Sequence, residues 1–284
     1  MRCIVAEADG LGECPTWDER AGRLLWIDVT GRRLSGCNFD GSELERQALP
    51  DIPGSFALRE LGGRLTAYRR RLSIFDQAGQ EQSVPVPAGW NGERERFNDG
   101  ACDKQGRFWV GTMDRKLTDP VGALYRLDPD LSAHRVDEGF GLSNGIAWSP
   151  DDRTMYHCDT VPPVIFVRDF DLESGQVSGR RPFVTFDPGT GAPDGCAVDT
   201  EGFLWVAVPG AGAIKRFDPS GRLERSVPTP VANPSSVTFG GEAFRTLFIT
   251  SIGRQDGDSG SGPDGAVFAF EAGVEGLRKH RFAG

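Results

Sequence analysis

A unit of about 45 residues repeats six times along the chain, and this repeat constrains the fold more than any other feature. Each unit carries a turn residue, usually glycine, then a polar residue and a short alternating apolar run centred on an aromatic or large apolar side chain. The six runs begin at Gly22, Gly63, Gly106, Asp152, Gly202 and Phe244. Because apolar residues alternate and no long 3.6-residue period intervenes, the runs predict β-strands. Four strands in each unit of 40 to 50 residues are typical of a β-propeller blade.

We therefore predict an all-β fold, a six-bladed β-propeller with four-stranded antiparallel blades, in a single domain over residues 1–284. An open row of sheets would expose strand edges, so the apolar residues 3–5 are expected to pair into the last blade and close the ring. Aromatic residues recur at one position of the unit, where we expect packing between blades and not substrate stacking. They are Trp26, Trp109, Tyr156 and Trp205.

Charge and composition exclude several classes of partner. Acidic residues outnumber basic ones by 41 to 32, giving a net charge of -9, so nucleic acid is not an expected partner. No run approaches the roughly 18 consecutive apolar residues of a membrane helix. The apolar stretch near the first residue is too short, and is followed too early by polar residues, for a secretory signal. We expect a cytoplasmic protein with no membrane partner, a monomer or weak oligomer. The six cysteines show no C-x-x-C pair, so they are expected to be free thiols.

Two local patterns resemble known motifs but are discounted. Residues 141–145 match the G-x-S-x-G pattern, but a strand and not a helix should follow Ser143, and only three histidines exist in the chain. A histidine-based catalytic dyad is therefore not expected. Residues 256–260 resemble the start of a calcium loop, but Val267 stands where a bidentate glutamate is needed, so we expect a surface loop.

One position of the repeat carries an oxygen-bearing side chain in all six units. It leads the strand before each run and is occupied by Glu13, Ser55, Asn98, Asn144, Asp194 and Ser235. Because the innermost strands of a propeller line its centre, residues at one register should form a ring. Three of them begin turn-forming sequences, Asn98-Asp99-Gly100, Asn144-Gly145 and Asp194-Gly195, but Glu13 is a poor turn residue. We favour a site for one divalent ion, since carboxylate and amide oxygens suit Ca²⁺, Mg²⁺ or Mn²⁺ and do not exclude Zn²⁺ or Fe²⁺.

Four ordered motifs at blade spacing resemble the gluconolactonase, senescence-marker-protein (regucalcin) and luciferin-regenerating-enzyme family of six-bladed propellers. They are Leu11-Gly12-Glu13-Cys14-Pro15-Thr16-Trp17, Arg96-Phe97-Asn98-Asp99-Gly100 followed by Gly111-Thr112-Met113, Ser143-Asn144-Gly145-Ile146-Ala147-Trp148-Ser149-Pro150-Asp151, and Pro193-Asp194-Gly195-Cys196-Ala197-Val198-Asp199. The resemblance covers nearly the whole chain. It implies a hydrolase that opens a sugar lactone, an aldonolactone, to the aldonic acid.

The resemblance also implies site residues. Glu13, Asn144 and Asp194 would bind the divalent ion, with Asp194 also placed as the general base toward water. Asn98 would sit beside the ion, and Arg96 would reach the sugar hydroxyls, so these two are the predicted substrate-binding residues. The two-residue spacing places Arg96 on the same side of the strand as Asn98.

The chain departs from the family pattern at two places. Cys14 stands where glycine is usual, which leaves room for a softer ion, and the loop at 114–120 lacks a glutamate that some members use for substrate. Two alternatives stay open from the residues alone. One is an organophosphate or other ester hydrolase on the same propeller, and the other is a non-catalytic calcium-binding propeller.

Overall fold

The computed structural model describes residues 1–254 and 263–284. The loop predicted at 256–260 lies outside the described residues. Within them the chain forms strands and turns and no helix. The strands are β1 Arg2–Val5, β2 Gly12–Asp18, β3 Arg23–Asp28, β4 Arg33–Asn38, β5 Glu45–Ala48, β6 Pro53–Leu58, β7 Arg64–Tyr68, β8 Leu72–Phe75, β9 Glu81–Val84, β10 Glu95–Cys102, β11 Phe108–Asp114, β12 Gly122–Leu127, β13 Ala133–Phe140, β14 Ser143–Trp148, β15 Thr154–Thr160, β16 Pro163–Asp171, β17 Gln176–Thr185, β18 Cys196–Val198, β19 Leu204–Val208, β20 Ala213–Phe217, β21 Leu223–Pro228, β22 Pro234–Gly240, β23 Thr246–Ser251 and β24 Val267–Glu271.

These strands form six four-stranded antiparallel sheets, which are the blades of a six-bladed β-propeller. The predicted fold class is therefore confirmed. The chain forms two compact units, residues 1–50 with 186–278 and residues 51–185 with 279–284. A single domain over residues 1–284 stays a prediction.

The first unit holds three sheets, β2-β3-β4-β5, β18-β19-β20-β21 and β22-β23-β24-β1. The amino-terminal strand β1 completes the last of these, because Arg2 pairs with Ala269 and Cys3 with Phe268 on β24. The expected closure by residues 3–5 is thus confirmed. Pairing with β1 covers an edge of β24 that would otherwise expose backbone donors and acceptors.

The second unit holds the sheets β6-β7-β8-β9, β10-β11-β12-β13 and β14-β15-β16-β17. In both units the core lies between adjacent sheets. The recurrent aromatic residues pack there, since Trp26, Trp109 and Trp205 are fully buried and Tyr156 is 3% exposed. The ring of Trp109 meets Trp148 and Phe170 edge to face.

Trp109 and Trp205 also each donate a hydrogen bond to an aspartate of their own unit. Trp109 Nε1 donates to Asp103 Oδ2 and Trp205 Nε1 to Asp199 Oδ2, both at 2.8 Å. The same carboxylates accept backbone amides from the turns that follow β10 and β18. Because a buried indole N–H requires a partner, these aspartates fix both a turn and the aromatic core beside it.

No helix long and apolar enough to cross a membrane occurs in residues 1–254 or 263–284. All six cysteines are free, as expected from their spacing.

Candidate functional site

Three of the predicted site residues lie within two residues of the start of the first strand of their sheets, and Arg96 and Asn98 lie inside such a strand. In the first unit Glu13 is the second residue of β2, and Asp194 stands two residues before β18. In the second unit Asn98 lies in β10 and Asn144 is the second residue of β14.

In the first unit, Ser235 on β22 connects the segments that carry the two carboxylates. The amide of Gly195 donates to the Ser235 carbonyl at 2.8 Å, and the Ser235 hydroxyl donates to the Gly12 carbonyl. Gly12 directly precedes Glu13, and Gly195 directly follows Asp194. A continuous hydrogen-bonded path therefore links the backbone at both carboxylates.

The two carboxylates differ in exposure. Asp194 is 7% exposed, and its amide donates to the Ala207 carbonyl at 3.0 Å, which ties this segment to β19. Glu13 is half-buried, and its Oε2 accepts the amide of Cys14 at 3.3 Å. Gly195 has no room for a side chain, because a Cβ there would lie 1.9 Å from Ser236 Oγ. The glycine lets the Asp194 segment approach β22 closely.

Cys14 adopts a left-handed backbone conformation, with φ of 51°, and its side chain is 1% exposed. This conformation explains why glycine would suit the position, because an L-residue there costs about 1–2 kcal/mol. In the described residues no group of three or more His, Cys, Asp or Glu side chains is placed to hold a metal ion. Glu13, Cys14 and Asp194 therefore do not form such a trio.

The strain at Cys14 predicts an inverted order of stability for two variants. In an ordinary strand, alanine is more stabilising than glycine by about 0.5–1 kcal/mol. At Cys14 we expect Cys14→Gly to have the higher free energy of unfolding, by about 1 kcal/mol over Cys14→Ala. Urea denaturation measures both values. The control is Cys37, a fully buried β4 residue absent from the positive-φ positions, where alanine should keep its usual advantage. The prediction would be contradicted if the alanine variant were more stable than the glycine variant at Cys14 as well as at Cys37.

In the second unit, Asn98 and Asn144 are directly hydrogen-bonded. Asn98 Nδ2 donates to Asn144 Oδ1 at 2.6 Å and to the Ser143 carbonyl at 2.9 Å, while Arg96 Nη1 donates to Asn98 Oδ1 at 2.8 Å. The bond directions follow from chemistry, because a guanidinium only donates and a carbonyl only accepts. Asn144 must therefore present its oxygen to Asn98 and its Nδ2 to Thr160 Oγ1, 2.7 Å away. The Arg96 donor and the Ser143 carbonyl acceptor together fix the orientation of both side-chain amides.

Arg96 is placed beside Asn98 and not at a distant surface. Its Nη1 also donates to the Phe97 carbonyl at 3.1 Å. Glu93, which could have paired with Arg96, makes its ion pair with Arg70 at 3.2 Å. The structure thus gives Arg96 a role in holding Asn98, which the sequence did not indicate, and its contact with substrate stays a prediction.

Ser143 meets a histidine that the sequence did not connect with it. Ser143 Oγ and His157 Nε2 are 2.6 Å apart, and both residues are fully buried. Arg168 Nη1 lies 3.3 Å from His157 Nδ1 and can only donate, so Nδ1 accepts and Nε2 carries the hydrogen. Burial, with Arg168 and Arg180 nearby, holds the pKa of His157 well below its usual value. The neutral ring donates to Ser143 and cannot remove its proton, so this pair is not a catalytic dyad.

The loop after β11 is fixed by Asp114. Its Oδ2 accepts the hydroxyl of Thr118 at 2.8 Å and the amide of Asp119 at 3.1 Å. Hydrogen bonds from Lys116 and Thr118 hold the pKa of Asp114 well below its usual range. Asp114 therefore shapes the 114–120 loop and does not act as a proton donor near neutral pH.

Comparison with known proteins adds a family and named relatives. A model described as "SMP-30/Gluconolactonase/LRE-like region" matches residues 11–253. The chain is 36% identical to 6-deoxy-6-sulfogluconolactonase of Pseudomonas putida over 290 residues, covering 100% of this chain and 99% of the relative.

Two solved structures are also similar. One is a calcium-binding protein, regucalcin, from Agrobacterium tumefaciens, with a TM-score of 0.90 and 26% identity over 99% of this chain and 96% of that one. The other is a gluconolactonase of Xanthomonas campestris, with a TM-score of 0.76 and 27% identity over 94% of this chain and 87% of that one.

Proposed function

Because the chain belongs to the SMP-30/gluconolactonase/LRE-like family, we propose that it is a sugar lactonase that opens an aldonolactone to the aldonic acid with one divalent ion. The observation that carries this proposal is the common placement of the motif residues. Glu13, Asn144 and Asp194 each lie within two residues of the start of the first strand of their sheets. Asn98 is the fourth residue of β10 and donates a hydrogen bond to Asn144. Relatives named as a sulfogluconolactonase and a gluconolactonase support the substrate class.

The donor chemistry fits a divalent ion that prefers oxygen ligands. Glu13, Asn144 and Asp194 would supply two carboxylates and one amide oxygen. The orientation of Asn144 supports this assignment. Among residues 1–254 and 263–284 its side-chain oxygen accepts one hydrogen bond, from Asn98, and an amide oxygen has two lone pairs. The relative named a calcium-binding protein makes Ca²⁺ the first ion to test, with Zn²⁺, Mn²⁺, Mg²⁺ and Fe²⁺ beside it.

Each residue has a distinct part in the proposed reaction. A divalent ion supplies polarisation of the lactone carbonyl when bound. Asp194 would accept a proton from the attacking water, and its low exposure shields the carboxylate from bulk solvent. Asn98 and Arg96 would orient the substrate through its hydroxyl groups.

The experiment that tests the substrate class is an acid-release assay over five- and six-membered aldonolactones, with a simple lactone lacking hydroxyls as comparison. Arg96→Ala should lower kcat/KM for hydroxylated lactones by a factor that corresponds to roughly 1.5–3 kcal/mol, and lower it much less for the simple lactone. Glu93→Ala is the control, since Glu93 is bonded to Arg70 and exposed. An equal loss on both substrates would reject Arg96 as the hydroxyl-binding residue, and no turnover of any lactone would reject the proposed activity.

A second candidate is ion binding without turnover, which the name of the Agrobacterium relative favours. In that case removing the ion would lower the melting temperature, and no lactone, ester or organophosphate would be hydrolysed at any ion concentration. The same assay panel therefore separates the candidates.

A further inference from the structure

Two buried aspartates outside the predicted site hold the backbone that leads into predicted ion ligands. Asp28 ends β3 in the first unit, and Asp159 lies near the end of β15 in the second. Asp28 is fully buried and Asp159 is 2% exposed. Asp28 follows Glu13 by 15 residues, and Asp159 follows Asn144 by the same 15.

Asp28 binds the segment Gly10-Leu11, which directly precedes Gly12 and Glu13. Its Oδ1 accepts the amides of Gly10 at 3.2 Å and Leu11 at 3.1 Å, and also the amide of Gly31 at 2.9 Å. The next residue after Asp28, Val29, donates its amide to the Leu11 carbonyl at 2.9 Å. We call Gly10-Leu11 and its counterpart below the lead-in segments.

Asp159 makes the same contacts with the other lead-in segment, Gly141-Leu142. Its Oδ2 accepts the amide of Gly141 at 3.3 Å, and its Oδ1 accepts the amides of Leu142 at 2.9 Å and Val161 at 3.3 Å. The next residue, Thr160, donates its amide to the Leu142 carbonyl at 3.0 Å. The hydroxyl of Thr160 also accepts a hydrogen bond from Asn144 Nδ2. The residue next to Asp159 therefore binds the Asn144 side chain directly.

The glycine of each lead-in segment lies close to a residue of the turn that follows the aspartate. A Cβ on Gly10 would lie 2.0 Å from Thr30 Oγ1, and a Cβ on Gly141 would lie 2.0 Å from the Val161 carbonyl oxygen. Thr30 and Val161 each stand two residues after the aspartate. At Gly141 the close atom belongs to the backbone, so only glycine fits, whereas at Gly10 it belongs to the Thr30 side chain, which would have to rotate. In both segments the two amides reach one carboxylate.

The geometry points to Asp28 and Asp159 as equivalent positioning residues, each of which sets the backbone that presents Glu13 or Asn144 to a divalent ion. This inference rests on the proposed function. Partners of metal ligands commonly change ion affinity by 10- to 100-fold when they are replaced. At Asp194 the equivalent task falls to backbone, since Ala192 donates its amide to the Pro209 carbonyl at 3.2 Å.

The experiment measures the dissociation constant for Ca²⁺, and for Zn²⁺ in parallel, by calorimetry on the metal-free full chain below each melting temperature. Asp159→Asn puts an NH₂ group against an amide of the lead-in segment, whichever way the side chain turns. At Asp28 alanine is used, because an asparagine would keep its oxygen on both lead-in amides and turn its NH₂ toward Arg33, whose Nη2 lies 2.6 Å from Asp28 Oδ2. Asp28→Ala removes the acceptor of both amides. Each variant should bind the ion at least about tenfold more weakly.

Asp103→Asn and Asp199→Asn are the matched controls. Both aspartates are at most 1% exposed and accept turn amides, but they lie in the turns after β10 and β18, beyond the far ends of those strands from Asn98 and Asp194. The control variants should melt at lower temperature and keep the wild-type dissociation constant within about twofold, since they leave both lead-in segments intact. Equal loss of affinity in controls and lead-in variants would overturn the inference, because the effect would then be general destabilisation.

A double-mutant cycle separates positioning from other effects. In an Asn144→Ala background, adding Asp159→Asn should weaken Ca²⁺ binding by no more than about twofold, because the ligand that Asp159 positions is gone. If the losses of Ca²⁺ affinity from the two substitutions were fully additive, the inference would be overturned. Asp159→Glu is the second variant if Asp159→Asn does not fold. If the wild type binds no ion, or if Asn144→Ala binds as tightly as wild type, the proposed ion site fails. If both behave as proposed and Asp159→Asn keeps wild-type affinity, only the positioning role fails.

Discussion

Replacing Asp194 by asparagine is expected to lower kcat by about 10²- to 10⁴-fold while part of the ion binding is kept. The asparagine retains an oxygen that can bind a divalent ion, but it loses the proposed proton acceptor. Initial rates and calorimetric ion titration on the same sample measure the two effects separately.

Asn144→Ala is the control for this experiment. It removes a proposed ligand and leaves the proposed base, so its main effect should be a weaker dissociation constant, with activity recovering as the ion concentration rises. If ion-loaded Asp194→Asn kept the wild-type kcat, the assignment of Asp194 as general base would be wrong.

The largest effect on stability is expected for Asp199→Ala. Asp199 is fully buried and accepts Trp205 Nε1 at 2.8 Å together with Arg216 Nη2 at 2.7 Å. Removing it leaves the buried indole and guanidinium without this carboxylate, so we expect a loss of about 3 kcal/mol in the free energy of unfolding. Chemical denaturation at neutral pH measures the loss.

Glu201→Ala is the matched control for Asp199. Glu201 pairs with the same Arg216 at 2.6 Å, but its side chain is 59% exposed. An exposed partner contributes about 0–1 kcal/mol, so this variant should remain close to wild type. A loss for Glu201→Ala as large as that for Asp199→Ala would show that burial of the carboxylate does not decide the effect.

The repeat predicted the architecture well because its signal is local. Alternating apolar runs and turn residues define strands over a few positions, and their recurrence six times leaves little choice of fold. The same register brought Glu13, Asn144 and Asp194 to the starts of first strands. The tryptophans were correctly predicted to be buried. The aspartate partners of Trp109 and Trp205 were not identified, since a carboxylate six residues away carries no packing signal of its own.

Side-chain contacts between neighbouring strands could not be predicted from the sequence. His157 and Ser143 stand 14 residues apart and meet because β14 and β15 pair in the folded chain. Nothing in the spacing predicted that Arg168 would fix the tautomer of that histidine. Asp28 and Asp159 did leave a signal, the dipeptide Gly-Leu two residues before the ligand and an aspartate 15 residues after it, but its meaning depends on which amides the carboxylate reaches.

The bond direction through Asn98 is likewise a property of the folded chain. Sequence identified Arg96 and Asn98 as substrate-binding candidates but could not indicate that a donor-only arginine and an acceptor-only carbonyl would orient two amides in series. A single reversal in this series would turn the Asn144 nitrogen toward Asn98.

In the proposed function a lactone is hydrolysed with one divalent ion held by Glu13, Asn144 and Asp194. The most direct test strips the protein with a chelator, confirms by elemental analysis that it is metal-free, and follows aldonolactone hydrolysis as Ca²⁺, Zn²⁺, Mn²⁺, Mg²⁺ or Fe²⁺ is added back. We expect no activity without metal and full activity at one bound ion per chain. Full activity in protein shown to be metal-free would contradict it.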